Sequence, residues 1–178
     1  NFLIKRVAEQ LHAEFPSLKT FVTLSPIPGF IDWVAAGADL GGEKFSVQLK
    51  PAIRTAREQA LETLGLAKRS WTERLSSGWH PDNASAKEKS ALLCLASIYL
   101  GIGSAGRNGN PVAKFHLGNG ARLHQINWSA DLSRKGLRES GALMVNYLYD
   151  LSSVEENHER FTQGEIDYSR AVGRLMVP

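Results

Sequence analysis

Ser25 and His116 are the two residues of this sequence whose types and positions best suit acid–base or nucleophilic chemistry. Ser25 follows the β-rich run 20–24 and precedes Pro26, whose ring favours extended backbone in the residue before it. The apolar run 112–117, which contains His116, is predicted to be a strand that ends beside a tight turn. Functional side chains often emerge at such positions. A hydroxyl and an imidazole placed there predict nucleophilic catalysis or a proton relay.

Each of these residues also has an ordinary structural interpretation. Serine and proline are both common at corners where a strand ends, and a single histidine in an apolar strand is often a hydrogen-bonded structural residue. A serine hydrolase is disfavoured because Ser25 lacks the G-x-S-x-G turn of that class. Asp131 is available either as the third member of a triad or as a buried structural aspartate, and its spacing leaves both interpretations open.

The predicted first helix, residues 1–15, carries cations where a helix does not favour them. Asn1 is the predicted N-cap, and Lys5 and Arg6 lie in the early turns. Cations there oppose the helix dipole by roughly a few tenths of a kcal/mol each. An anion at the helix start would reverse this effect, because free N–H groups and two cations together form a phosphate site. The alternative is a solvated basic face.

Helices and strands alternate along the rest of the chain. A capping box of Ser85 and Glu88 predicts a helix that runs through Leu100, and Pro51 begins an earlier helical region. The remaining predicted elements are strands at 112–117, 121–128 and 143–149, a hairpin turn at Asn119–Gly120 between the first two, and a helical tail at 155–176. Helices and strands in this order predict an α+β (mixed α/β) domain.

Composition limits the classes of protein to which the chain can belong. The net charge of +3 suits a small anionic ligand at least as well as nucleic acid, and no long Lys/Arg run favours the latter. No apolar run approaches the roughly 18 residues that a membrane span needs. Cys94 is alone, so it is predicted to be a buried thiol in a reducing compartment. The chain starts without Met or a signal peptide, which suggests a fragment.

Five blocks of sequence, taken together, resemble one family. They are, in chain order, residues 2–7 (FLIKRV), 25–30 (SPIPGF), 115–121 (FHLGNGA), 127–131 (NWSAD) and 144–149 (MVNYLY). Their types and order are similar to the catalytic domain of the malonyl-CoA decarboxylases over nearly the whole chain. Each block alone is weakly diagnostic, whereas five in sequence are specific.

The resemblance implies a fold and a site. The fold would be like that of the GCN5-related N-acetyltransferases, with a central mixed sheet flanked by helices. Ser25 and His116 would be catalytic, and Tyr149, the second tyrosine of the family's N-Y-x-Y block, would assist them. Leu148 stands where the family often has Arg. Residues 1–178 would be the carboxy-terminal portion of the catalytic acyl-CoA domain, without its first strands and an upstream helical domain.

The resemblance also implies the reaction, malonyl-CoA to acetyl-CoA and CO2, which needs no cofactor because the thioester accepts the electrons. We expect His116 to donate the proton and Ser25 to bind the carboxylate or relay the proton, although these roles could be exchanged. Tyr149 and Asn119 are candidate orienting groups. Asn1, Lys5 and Arg6 would face the CoA pyrophosphate.

Further expectations concern partners and alternatives. A homo-oligomer, a tetramer in the family, is expected, together with the upstream helical domain as a partner. The expected location is cytoplasmic, or mitochondrial or peroxisomal in a eukaryote, without nucleic acid or membrane. The alternatives are an acetyl-CoA-dependent acyltransferase and a non-catalytic acyl-CoA-binding module on the same fold.

Overall fold

The structure is a computed structural model that describes residues 3–18, 20–40, 49–66, 69–106 and 109–178. Its α-helices are α1 (Leu3–Glu14), α2 (Phe30–Ala35), α3 (Pro51–Leu64), α4 (Trp71–Ser76), α5 (Ala86–Gly101), α6 (Pro111–Gly118), α7 (Arg134–Ser140), α8 (Val154–Thr162) and α9 (Arg170–Leu175). Its strands are β1 (Phe21–Pro26), β2 (Arg122–Asn127) and β3 (Met144–Tyr149). The predicted α+β class is confirmed by this order of elements.

The three strands form one antiparallel sheet with β3 between β1 and β2. The sheet was expected to be mixed, but both of its strand pairs in the described residues are antiparallel. Parallel pairing there is limited to an isolated bridge between Leu123 and Tyr168. Ser25 lies opposite Val145 in the register. Side chains of directly opposed residues project from the same face of a sheet. Ser25 and Val145 therefore share a face, and both are buried there.

Helix α5 is the centre of the core. Most of its residues are buried on all sides, and α3, α9 and β2 all pack against it. Its start is the predicted capping box, in which the Ser85 hydroxyl accepts from Glu88 N and the Glu88 carboxylate accepts from Ser85 N. Cys94 is a free thiol inside this helix, as predicted, and burial raises its pKa to about 11.

The predicted strand at 112–117 is wrong, because these residues form helix α6. Asn110 is the N-cap, with its side chain accepting from Ala113 N, and Pro111 occupies the first turn, where its fixed φ suits a helix. The predicted hairpin turn at Asn119–Gly120 is also wrong. Gly120 has φ +82° and its N–H donates to Leu117 O, while Ala121 N donates to His116 O, the pattern that ends a helix.

Other predicted elements are confirmed. Helix α1 matches the first predicted helix, although the predicted N-cap Asn1 lies outside the described residues. The tail forms α8 and α9, and strands β2 and β3 fall within their predicted runs. Among the residues that the structure describes, every helix is too short or too polar to span a bilayer.

Candidate active site

Ser25 and His116 meet although they are 91 positions apart in the chain. Ser25 lies near the end of β1, on the face that the helices cover, and α6 brings His116 over it. The Ser25 Oγ atom is 3.1 Å from Nε2 of His116. Ser25 is 5% exposed and His116 is 8% exposed, so the pair is largely shielded from water.

A third residue, Tyr149, bonds to the other side of the imidazole. Its hydroxyl oxygen lies 2.8 Å from Nδ1 of His116. Tyr149 is on β3, and 1% of its surface is exposed. Burial raises the pKa of this hydroxyl, so it stays protonated at neutral pH, and burial lowers the pKa of His116, which favours the neutral imidazole.

The hydrogen bonds assign the proton positions in this chain of residues. Within the described residues, Nδ1 of His116 is the hydrogen-bond partner of the Tyr149 hydroxyl. If Nδ1 carried the proton, the buried Tyr149 O–H would have no acceptor, which costs about 1–3 kcal/mol. Tyr149 therefore donates to Nδ1, the imidazole carries its proton on Nε2, and Nε2 donates to Ser25.

Sequence reasoning missed two further residues at this site. The Thr23 hydroxyl lies 3.2 Å from Ser25 Oγ. The ring of Tyr147 stacks on the His116 imidazole, with centroids 4.5 Å apart and planes 18° apart. The signal was present for both, because residues two positions from Ser25 and from Tyr149 on a strand project on the same face.

Side-chain amides hold β1 in place on the opposite face of the sheet. Asn146 Nδ2 donates to the Thr23 carbonyl at 2.9 Å, and Asn127 Nδ2 donates to Asn146 Oδ1 at 2.8 Å. These bonds link all three strands beside Ser25. The asparagines of two recognised sequence blocks therefore support the strand that presents the hydroxyl.

The other candidate residues lie apart from this hydrogen-bonded group. Lys5 Nζ pairs with Glu155 at 2.5 Å and with Glu9 at 3.7 Å. Asn119 is at the C-terminal end of α6, where its amide donates to the Phe115 carbonyl. Their predicted roles toward a ligand stay predictions, as does that of Arg6, which is exposed on α1.

Asp131 does not form a triad with Ser25 and His116. Its Oδ1 accepts from Ser133 N in a local turn, and the position it would take beside the imidazole is held by Tyr149. In the part of the chain that the structure describes, no three His, Cys, Asp or Glu side chains cluster in a way that could hold a metal ion.

Comparison with known proteins identifies similar chains. The family model described as the malonyl-CoA decarboxylase C-terminal domain matches residues 1–178. Mitochondrial malonyl-CoA decarboxylase from Rattus norvegicus is 41% identical over 159 residues, which are 88% of this chain and 32% of that protein. The corresponding protein from Mus musculus is 40% identical over the same share of each chain. The chain thus spans about a third of the length of these curated relatives.

Solved structures agree with this result. The crystal structure of malonyl-CoA decarboxylase from Cupriavidus metallidurans matches 98% of this chain and 43% of that one, with a TM-score of 0.70 and 37% identity. That of Rhodopseudomonas palustris matches 98% and 37%, with a TM-score of 0.67 and 40% identity. The predicted fold, like that of the GCN5-related N-acetyltransferases, is confirmed by these matches.

Proposed function

The chain belongs to the malonyl-CoA decarboxylase family, and from that premise we propose that it carries the site at which malonyl-CoA loses CO2 to give acetyl-CoA. One observation carries this proposal: a buried chain of hydrogen bonds runs from Tyr149 through His116 to Ser25. The substrate is a thioester, so the electrons released by decarboxylation delocalise into its carbonyl oxygen as an enolate. The site must then stabilise the enolate and supply one proton to carbon.

His116 is the proposed proton donor. When the bond between the α-carbon and the carboxylate breaks, its electron pair stays on the α-carbon and CO2 leaves. The α-carbon takes the Nε2 proton of His116, and Nδ1 takes the proton of the Tyr149 hydroxyl, which leaves a tyrosinate that a proton from solvent neutralises before the next turnover. An imidazole suits this task because it can release a proton from one ring nitrogen while it accepts a proton at the other.

Ser25 is proposed to act through its hydrogen bonds and not as a covalent nucleophile. A nucleophilic serine needs a base to take its proton. The Nε2 atom, which would be that base, already carries a proton in the assigned tautomer. The Ser25 O–H is therefore directed to the malonyl carboxylate, or it relays the Nε2 proton to carbon.

The start of α1 is the proposed contact for the CoA pyrophosphate, through Asn1, Lys5 and Arg6. Lys5 is paired with two carboxylates in this structure. An anionic ligand would therefore compete with Glu155 for the same ammonium group. Asn119, on the helix that carries His116, remains a candidate for orienting the acyl group.

The remaining parts of the proposal concern partners and location. The substrate and product are malonyl-CoA and acetyl-CoA, and the proposed assembly is a homo-oligomer of chains that include an upstream helical domain. No cofactor is proposed, so activity should persist in the presence of a chelator. The proposed location is the cytoplasm, with mitochondria as the alternative because the curated relatives are named mitochondrial.

The test is decarboxylation by the full-length protein. Malonyl-CoA should yield acetyl-CoA and CO2, whereas an acyltransferase would release free CoA when given an acceptor. The variants His116→Asn and Ser25→Ala should each lower turnover at least about a hundredfold, the lower range for acid–base catalysis, and CoA binding should largely survive.

Two control variants separate the site from general damage. Ser97→Ala removes a hydroxyl that is fully buried in α5 and donates to Cys94 O. His80→Asn changes a surface turn where asparagine can also accept from Asp82 N. Both should retain turnover, and near wild-type CO2 release from the Ser25 and His116 variants would refute the assigned roles.

A further inference from the structure

Tyr147 is fully buried, yet its hydroxyl has no hydrogen-bond partner in the part of the chain that the structure describes. It lies on β3 opposite Thr23 and two residues before Tyr149. Burying a polar group without a partner costs free energy, and phenylalanine would avoid that cost with the same ring. Its ring does contact the imidazole of His116.

The ring of Tyr147 covers a face of that imidazole. The two planes are 18° apart with centroids at 4.5 Å, which is a stacked arrangement. Phe115 and Tyr149 approach the same imidazole at steep interplanar angles, 77° and 65°, at 5.1 Å and 6.1 Å. Hydrogen bonds and steeply inclined rings therefore meet the imidazole at its edges, whereas the ring of Tyr147 lies against its face.

The plane matters because both imidazole nitrogens are in use. Nε2 lies 3.1 Å from Ser25 Oγ and Nδ1 lies 2.8 Å from the Tyr149 hydroxyl. Rotation of the imidazole about the Cβ–Cγ bond of His116 moves both nitrogens out of line with these partners at once. Torsions of this kind, between sp³ and sp² atoms, have broad minima, so the histidine alone does not enforce the plane.

We propose that Tyr147 is a positioning residue for His116: its ring fixes the plane of the imidazole, and its hydroxyl is dispensable. Rigid support of a reacting group by packed neighbours is what holds such a group in its productive geometry. The effect on turnover rests on the proposed decarboxylase function, whereas the effect on the orientation of the imidazole does not.

The test compares Tyr147→Phe, Tyr147→Leu and Tyr147→Met in the full-length protein, with Leu143→Ala as the control. Leu143 is fully buried just before β3, so its truncation damages packing. The hydrogen bonds and ring contacts of His116 in the described part of the chain do not involve Leu143. Crystal structures give the plane of the imidazole, and steady-state kinetics give kcat and KM for malonyl-CoA separately.

Tyr147→Phe should keep the plane of the imidazole and kcat within about twofold. Tyr147→Leu and Tyr147→Met should turn the imidazole by more than about 30°, a rotation that the broad minima of this torsion permit. Their kcat should fall at least about tenfold, with KM changed less than about threefold, because a buried ring does not contact the substrate. Leu143→Ala should lower thermal stability and leave the plane and kcat unchanged.

The proposal is overturned if Tyr147→Leu or Tyr147→Met keeps both the plane and kcat. It is also overturned if Tyr147→Phe is as damaging as Tyr147→Leu, because the hydroxyl would then be the functional group. If the Leu and Met variants fail to fold, Tyr147→Phe tests the proposal. An unchanged imidazole plane with kcat within about twofold supports it, and a turned imidazole or a larger fall in kcat overturns it. If the wild-type protein does not decarboxylate malonyl-CoA but the imidazole turns as expected, the proposed function fails and the positioning role stands.

Discussion

Replacing Tyr149 with phenylalanine tests the direction of the hydrogen-bond chain. The substitution removes one oxygen atom and leaves the ring in its buried position on β3. Nδ1 of His116 then loses the donor that lies 2.8 Å away. Because the imidazole is 8% exposed, water has little access to replace that donor.

The magnitude follows from the loss of one donor to a buried acceptor, about 1–3 kcal/mol. In a chain of this size, 1 kcal/mol moves the melting temperature by about 2–4 °C, so we expect a drop of roughly 2–12 °C. If the same free energy holds the proton on Nε2, kcat falls by about 5- to 150-fold, since 1.36 kcal/mol is tenfold in rate. KM should change little, because Tyr149 acts on the substrate through the imidazole of His116.

The pH profile gives an independent readout. A donor to Nδ1 stabilises the neutral imidazole, so its removal should raise the pKa of His116 from its lowered value. The acid limb of kcat/KM should therefore move to higher pH in Tyr149→Phe. Tyr168→Phe, at a tyrosine that is 37% exposed, is the control and should keep the wild-type profile. A variant with kcat within twofold of wild type and an unmoved acid limb would refute the assigned tautomer.

Two further predictions concern the helix that carries His116 and the burial of its side chain. Gly120→Ala should destabilise the protein more than Gly164→Ala, as measured by chemical denaturation: both glycines have positive φ, but a Cβ at Gly120 would lie 2.1 Å from Val154 O, whereas Gly164 faces open space. Equal losses in the free energy of unfolding for the two variants, each near the roughly 1–2 kcal/mol that a left-handed backbone costs a residue with a Cβ atom, would contradict the close contact at Gly120. Because burial lowers the pKa of His116, the unfolded chain binds a proton that the folded chain does not as pH falls below about 6.5. Stability should therefore decrease from pH 7.5 to 5.5 more steeply in wild type than in His116→Asn. Melting temperatures that fall equally with pH in the two proteins would exclude the effect.

Local sequence predicted those parts of the site that depend on neighbouring residues. The alternation of a strand places Tyr147 and Tyr149 on one face, and both are buried there. Proline after Ser25 favours extended backbone, and Ser25 does lie in β1. The error at 112–117 was also local, because Asn110 and Pro111 together are a helix start that an apolar run of six residues can hide. Asn-Gly fits either a hairpin turn or a helix end, because both require a left-handed residue.

The sequence by itself determined the helix caps, the side chains that share a face of each strand, the family and the two residues most suited to chemistry. The tertiary structure alone decided that Ser25 and His116 touch across 91 positions, that Tyr149 supplies the third member of the chain, and that Lys5 pairs with Glu155 150 positions away. The physical reason is that capping and strand alternation are set within a few residues, whereas the meeting of distant side chains depends on the register of the sheet and on how α6 packs over it. His116 reaches Ser25 from a helix just as it was expected to from a strand, because its position over the sheet matters and not the element that carries it.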